Sequence, residues 1–150
     1  MNILSNFGEN LKELILDKNL TTKTFAEEIG IDRSVIYKYM RNETFPTLEH
    51  LIIICNYFEC SADFILGLSP TNPLVKYYSA QPFSEQFKRE LNNKKFTRYK
   101  FRKEILKKHI SFSKQAVDDW FNGKRNPTVE NIILIAKYFE CTVDSLLGRE

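Results

Sequence analysis

The sequence predicts an all-α protein made of two tandem five-helix domains. Three observations support this: one segment occurs twice, apolar residues recur at helical spacing, and no segment shows the alternation of a β-strand. Aligning the chain with itself at an offset of 81 residues pairs Pro46–Gly67 with Pro127–Gly148, and 12 of these 22 positions are identical. Two copies are too few for a solenoid, so the repeat indicates duplication of a small domain.

The first two helices of copy one are predicted from an apolar stripe and from end signals. Helical spacing relates the apolar residues Phe7, Leu11, Leu14 and Ile15. Thr21 or Thr22 can cap the next segment, TKTFAEEI, and Gly30 has the position of a helix terminator.

The last two helices of copy one follow Pro46. Thr47 is a candidate N-cap, and apolar residues then recur at helical spacing as far as Phe58. Ser61 can cap a short final helix that Gly67 ends. Copy two repeats these signals at the same spacing, which predicts the same helices there.

The middle of copy one has the pattern of a helix-turn-helix. Helices at 22–29 and 33–41 are joined by a tight turn at Gly30. The second helix has one polar face, with the spacing i, i+1, i+4 and i+5, formed by Arg33, Ser34, Tyr37 and Lys38.

Charge is distributed unevenly along the chain. Residues 1–69 have a net charge of −4 and residues 70–150 a net charge of +7, within a total of +3. The segment Lys88–Lys114 holds 11 of the basic residues and only two acidic ones. Such an imbalance indicates a polyanionic partner.

Two long segments carry a family resemblance. Residues 24–67, TFAEEIGIDRSVIYKYMRNETFPTLEHLIIICNYFECSADFILG, resemble the Cro/C1-type, lambda-repressor-like helix-turn-helix domain, and so do residues 104–148, EILKKHISFSKQAVDDWFNGKRNPTVENIILIAKYFECTVDSLLG. The resemblance covers roughly 5–68 and 83–148. It implies compact five-helix domains that dock on B-DNA, usually as transcription regulators. We therefore expect a first domain at 1–68, a linker at 69–82 and a second domain at 83–150.

The resemblance also implies site residues, because the family places its recognition helix in the major groove. The residues that it places at base edges are Arg33, Ser34, Tyr37 and Lys38 in copy one, and Lys114 and Gln115 in copy two. Arginine suits guanine, and glutamine can read adenine. The residues that it places at phosphates are Thr21, Thr22, Arg41 and Asn42 in copy one, and Asn122, Lys124 and Arg125 in copy two. Ser113 is expected to cap the second recognition helix.

Copy two departs from copy one in two ways. About five additional residues are expected between Phe96 and Ile105, which leaves the phosphate roles of nearby cations such as Arg98 and Arg102 open. Asp118 and Asp119 stand at groove-facing positions, where they either accept from cytosine or weaken nonspecific attraction to DNA.

These observations favour a sequence-specific, double-stranded-DNA-binding transcription regulator, and a repressor in particular. The alternative is a protein-interaction module, an antitoxin or anti-regulator, in which one copy serves dimerisation or partner binding. No arrangement of catalytic residues, cofactor motif or metal-ligand spacing indicates an enzyme, a cofactor, a metal site or a small-molecule substrate. Three cysteines without CxxC spacing, no signal peptide and no long apolar run favour a cytoplasmic protein with no membrane contact. A homodimer stays open.

Overall fold

The computed structural model describes residues 3–73, 75–108 and 112–150, without the side chains of residues 3–5 and 108. All regular secondary structure in this part of the chain is helical, which confirms the predicted all-α fold. The chain divides into two compact units, Met1–Tyr77 (unit 1) and Tyr78–Glu150 (unit 2).

Unit 1 contains α1 (Ile3–Asp17), α2 (Thr22–Ile29), α3 (Arg33–Met40), α4 (Leu48–Phe58) and α5 (Ala62–Ile65). Four of these helices begin after a side chain that accepts a hydrogen bond from a backbone N–H, and these caps are Thr21, Asp32, Thr47 and Ser61. The caps predicted at Thr47 and Ser61 are confirmed, and Thr21 is the threonine that caps α2. Gly30 ends α2 with a φ of 71°, which a side chain would disfavour.

Unit 2 repeats this order with α6 (Phe83–Asn93), α7 (Arg98–Lys108), α8 (Lys114–Asn122), α9 (Val129–Phe139) and α10 (Val143–Leu146). Four of its helices are capped by hydroxyl side chains, with Ser113 in the place of Asp32: Thr97, Ser113, Thr128 and Thr142. The predicted cap at Ser113 is confirmed.

Phenylalanine rings occupy equivalent places in the two cores. Phe25 stacks on Phe58 with ring centroids 5.2 Å apart, and Phe101 stacks on Phe139 at 5.3 Å. Phe25 and Phe101 are fully buried. Burying a ring of this size stabilises a fold by about 1.5–3 kcal/mol, so each helix-turn-helix is held to α4 or α9 by an anchor in its first helix.

The additional residues of copy two lie in a different place from the one predicted. Residues in equivalent places of α2 and α7 differ in number by 76: Thr21 and Thr97, Phe25 and Phe101, Glu28 and Glu104. Both threonines cap their helix, and both glutamates accept a hydrogen bond from a tyrosine hydroxyl. The expectation that the additional residues precede Ile105 is therefore wrong. They follow Glu104, because α7 has 11 residues where α2 has 8, and the connection to α8 is longer.

Hydrogen bonds donated by backbone N–H groups tie both ends of the segment 69–82 to the unit that each end adjoins. Ser61 N donates to Asn72 Oδ1 at 3.1 Å in unit 1. In unit 2, Tyr78 N donates to Arg149 O at 2.7 Å, and Gln81 N donates to Leu147 O at 2.8 Å. Residues from Tyr78 onward are thus part of the fold of unit 2.

Candidate nucleic-acid interface

The second helix of the motif in unit 1, α3, has a buried side and a polar side. Ile36 and Tyr39 are buried, with 0% and 3% of their surface exposed, and they fix α3 against the core. Tyr39 also shares a 2.7 Å hydrogen bond with His50 on α4. The opposite side exposes the four residues predicted to face bases, which are Arg33, Ser34, Tyr37 and Lys38. The structure therefore brings these four side chains together on one accessible face.

The exposed face of α3 has two basic side chains, Arg33 and Lys38, and the carboxylate of Asp32 lies at the N-terminus of the helix. Arg33 and Lys38 form no ion pair with any residue that the structure describes. The Ser34 hydroxyl and then the Ser34 backbone N–H donate to Asp32, and these hydrogen bonds lower the pKa of that carboxyl. Because the Ser34 hydroxyl donates to Asp32, at 2.6 Å, it can only accept a hydrogen bond from a base.

The residues predicted to face phosphates in unit 1 have different local partners. Thr21 is exposed at the N-terminus of α2, whereas the Thr22 hydroxyl contacts Met40 Sδ at 3.7 Å. Arg41 Nε donates to Glu43 Oε1 at 3.0 Å, so part of its charge is offset within the chain. Asn42 Oδ1 accepts from Gly8 N at 3.0 Å and thereby links the end of α3 to α1.

The equivalent helix in unit 2, α8, has the same packing with different charges. Trp120 takes the place of Tyr39 and is 2% exposed, with its ring edge-on to Phe112. Both aromatic residues are therefore buried anchors of their helices. Lys114 and Gln115 are exposed at the start of the helix, next to its cap. The structure thus presents both predicted base-facing residues of copy two to solvent.

Ion pairs within unit 2 engage both aspartates of α8. Arg102 Nη1 lies 3.2 Å from Asp118 Oδ2, and Arg98 Nε lies 3.8 Å from Asp118 Oδ1. Arg125 Nε lies 3.1 Å from Asp119 Oδ2. The two aspartates predicted to face the groove are therefore largely neutralised by arginines of their own unit. These arginines have correspondingly less charge to offer to phosphates.

Three phosphate candidates lie at or just after the end of α8, and a further basic group lies beside the helix. Asn122, Lys124 and Arg125 are all exposed. Lys88 Nζ and the Arg98 guanidinium lie over the Phe121 ring, 4.9 and 4.7 Å from its centroid. In the sequence, Lys88 stands out only as the first residue of the basic run Lys88–Lys114. Its pairing with Phe121 joins residues of α6 and α8, a proximity with no local sequence signal.

None of the three cysteines is exposed: Cys55 and Cys60 are buried and Cys141 is half-buried. Among the described residues, no helix combines the length and apolar character that a membrane span needs.

Comparison with known proteins places this geometry in a family. The model of the family described as Helix-turn-helix matches residues 11–65 and 102–146, which include α2–α3 and most of α7 with α8. No solved structure matches significantly.

Two curated proteins are similar to the chain. An uncharacterised HTH-type transcriptional regulator, YobD, from Bacillus subtilis strain 168 is 31% identical over 81 residues, which are 53% of this chain and 72% of that protein. The HTH-type transcriptional activator BcrR from Enterococcus faecalis is 33% identical over 61 residues, 41% of this chain and 30% of that protein. With two matched regions that each contain a capped, accessible recognition helix, this chain belongs to the helix-turn-helix family, of the Cro/C1 type, in two tandem copies.

Proposed function

We propose that the chain is a transcription regulator that binds double-stranded DNA in a sequence-specific manner, with α3 in the major groove. The observation that carries this proposal is the exposed face of α3, where Arg33 and Lys38 lie beside Tyr37 and have no carboxylate partner within 4 Å among the residues that the structure describes. The family membership and the description of both relatives as transcriptional regulators support it.

In this proposal the residues of unit 1 divide between bases and backbone. Arg33 makes a bidentate contact with guanine O6 and N7, and Lys38 donates to a neighbouring guanine as a point charge. Ser34 and Tyr37 complete the base-facing set. Thr21 and the N-terminal N–H groups of α2 meet a phosphate, because a helix N-terminus favours an anion. Thr22, Arg41 and Asn42 contact the phosphodiester backbone beside it, and each has an intramolecular partner, as Thr21 has in Thr24.

Unit 2 contributes a second, chemically different contact. Gln115 reads adenine and Lys114 reaches a base or its phosphate at the start of α8. Asn122, Lys124 and Arg125 meet the backbone at the other end of the helix. The positive charge of this half of the chain supplies sequence-independent attraction that depends on salt.

The regulatory output that we propose is repression, by occupancy of a promoter. One relative is described as an activator, so the output needs its own test. A reporter gene placed behind the selected site should fall in expression when the chain is present. A rise in expression would replace repression with activation and would leave the DNA-binding role intact.

A second candidate role for unit 2 is protein binding. The ion-paired face of α8 and the 64% exposed Tyr99 ring on α7 favour it, because an internally neutralised surface attracts DNA less than a bare basic one does. Loss of the Gln115 side chain would then leave every base preference unchanged, while a contact with a second protein or a second copy of the chain would weaken.

Selection of binding sites from random duplex DNA at two salt concentrations tests the proposed function. We expect one preferred sequence, with one or two half-sites, and an affinity that falls as salt rises. Arg33→Ala should lower specific affinity by about 1–3 kcal/mol and relax one base position. Lys12→Ala is the matched control, because it removes one cation from α1 that pairs with Glu9 at 3.4 Å. Equal effects of the two changes would contradict the reader role of Arg33.

A further inference from the structure

Three side chains of unit 2, those of Gln115, Asp119 and Arg125, form a connected polar network along α8 and just after it. Gln115 Nε2 donates to Asp119 Oδ1 at 2.8 Å. Arg125 Nε lies 3.1 Å from the other carboxylate oxygen, Asp119 Oδ2. Only 15% of the Asp119 side chain is exposed, against 53% for Arg125. Each oxygen of the Asp119 carboxylate therefore has a partner, and the Asp119 side chain is largely buried.

The chemistry of these groups fixes which way the carboxamide of Gln115 points. An ionised carboxylate only accepts hydrogen bonds, so the amide nitrogen must face Asp119. A carboxamide has two N–H donors and one carbonyl oxygen. With one N–H directed to Asp119, Gln115 retains the other N–H and Oε1, which are the donor and acceptor that adenine N7 and N6 require.

We propose that Asp119 is a positioning residue for specificity, which holds Gln115 in the orientation that reads adenine, and that Arg125 anchors Asp119. This inference rests on the proposed function, because it requires α8 to enter a major groove. Holding the carboxamide before DNA arrives reduces the rotamer entropy that binding would otherwise cost. Arg125 offsets the charge of Asp119, which would otherwise repel phosphates, through the contact of its Nε with Asp119 Oδ2.

The described residues of unit 1 contain no counterpart of this polar network. Residues in the same places of α3 are Ser34, which is paired with Asp32, and Lys38, which has no carboxylate partner within 4 Å among the residues that the structure describes. Basic side chains favour guanine, whereas a held carboxamide favours adenine. We therefore expect the two units to prefer different bases, so the selected site should not be a palindrome of two identical halves.

The test is site selection with the full chain and four variants: Gln115→Ala, Asp119→Ala, the double variant and Asp119→Asn. Gln115→Ala should reduce the preference for adenine at one position by about tenfold. Asp119→Ala should reduce the same preference by several-fold, and it should add nothing in the Gln115→Ala background. Asp119→Asn keeps a carbonyl oxygen that can accept from Gln115, so it should retain most of the preference. Glu130→Gln, which removes one exposed carboxylate from α9, should leave the preference at wild-type strength.

Different outcomes separate this inference from the function on which it rests. If the wild-type chain selects no sequence, the proposed function itself fails. If the wild type selects a site that Arg33→Ala alters, but folded Asp119→Ala keeps every preference, the positioning role is overturned and the DNA-binding role stands. Additive losses in the double variant would also overturn it, because they would show that Asp119 acts independently of Gln115. Thermal unfolding of each variant establishes that it is folded.

Discussion

The recognition helices α3 and α8 occupy the same place in a duplicated fold but carry opposite electrostatic arrangements. In α3 the exposed cations Arg33 and Lys38 lack ion-pair partners among the described residues, within an acidic half of the chain. In α8 two aspartates are paired with arginines, within a strongly basic half. Caps and buried rings are alike in both units, while the groove-facing positions differ. The comparison shows that the fold constrains the core and leaves the chemistry of the exposed face to vary.

A second difference concerns the contact between the first helix of each unit and the end of its recognition helix. Gly8 packs so closely on Asn42 that a Cβ there would lie 2.2 Å from Asn42 Oδ1. In unit 2 the arrangement is reversed, because Ser84 replaces the glycine and Gly123 replaces the asparagine. Each unit has one side chain and one glycine at this contact, so the close approach of the two helices is kept.

The largest expected effect tests the equivalence of the two cores. Phe25→Ala and Phe101→Ala should each lower the free energy of unfolding by about 3–5 kcal/mol, because each removes a fully buried ring. Chemical denaturation measures both, with exposed Lys103→Ala as a control that should change little. A small effect of Phe101→Ala would contradict the 76-residue equivalence of α2 and α7.

The next effect tests the reversed contact. Gly8→Ala should cost about 3 kcal/mol in unfolding free energy, because the new Cβ overlaps Asn42 and displaces its hydrogen bond. Adding Asn42→Gly should recover part of that loss, as the pairing of Ser84 with Gly123 indicates. The recovery is partial because Tyr39 O would still lie 2.8 Å from the Cβ. A double-mutant cycle with no coupling would reject this explanation.

A smaller effect tests the ion pairs of α8. Asp118→Asn releases Arg98 and Arg102, so the affinity for DNA of unrelated sequence should rise by about fivefold. The slope of log affinity against log salt concentration should steepen by the amount that about one additional phosphate contact contributes. Fluorescence anisotropy at several salt concentrations measures both quantities. Glu130→Gln makes the same charge change away from the arginines, and an equal rise in that variant would show that only net charge matters.

The smallest effect concerns pH. Burial, and then the hydrogen bond and the negative charge of Glu104, raise the pKa of the Tyr138 hydroxyl to about 12. The fold therefore favours the neutral phenol. The contribution of this group to the free energy of unfolding is complete below about pH 10, the ordinary tyrosine value, and is lost as pH rises toward 12.

Tyr138→Phe should cost about 1 kcal/mol at neutral pH through loss of that hydrogen bond, and its stability should fall less between pH 10 and 12 than that of the wild type. Denaturation midpoints across this range measure the difference. Parallel pH profiles for the variant and the wild type would contradict the assignment.

The sequence by itself determined the helical class, the duplication, the caps at Thr47, Ser61 and Ser113, and the polar face of α3. These follow from local rules, since helical periodicity and capping act over three or four residues.

Only the tertiary structure decided where the additional residues of copy two lie and which charges of its surface have partners. The core positions of α2 and α7 differ in number by 76, a relation that appears once Phe101 packs on Phe139 and Glu104 meets Tyr138. The pairing of Asp118 with Arg102 joins residues 16 apart on two crossing helices. Such pairings depend on how whole helices cross, and that geometry arises from the summed packing of side chains distant in sequence.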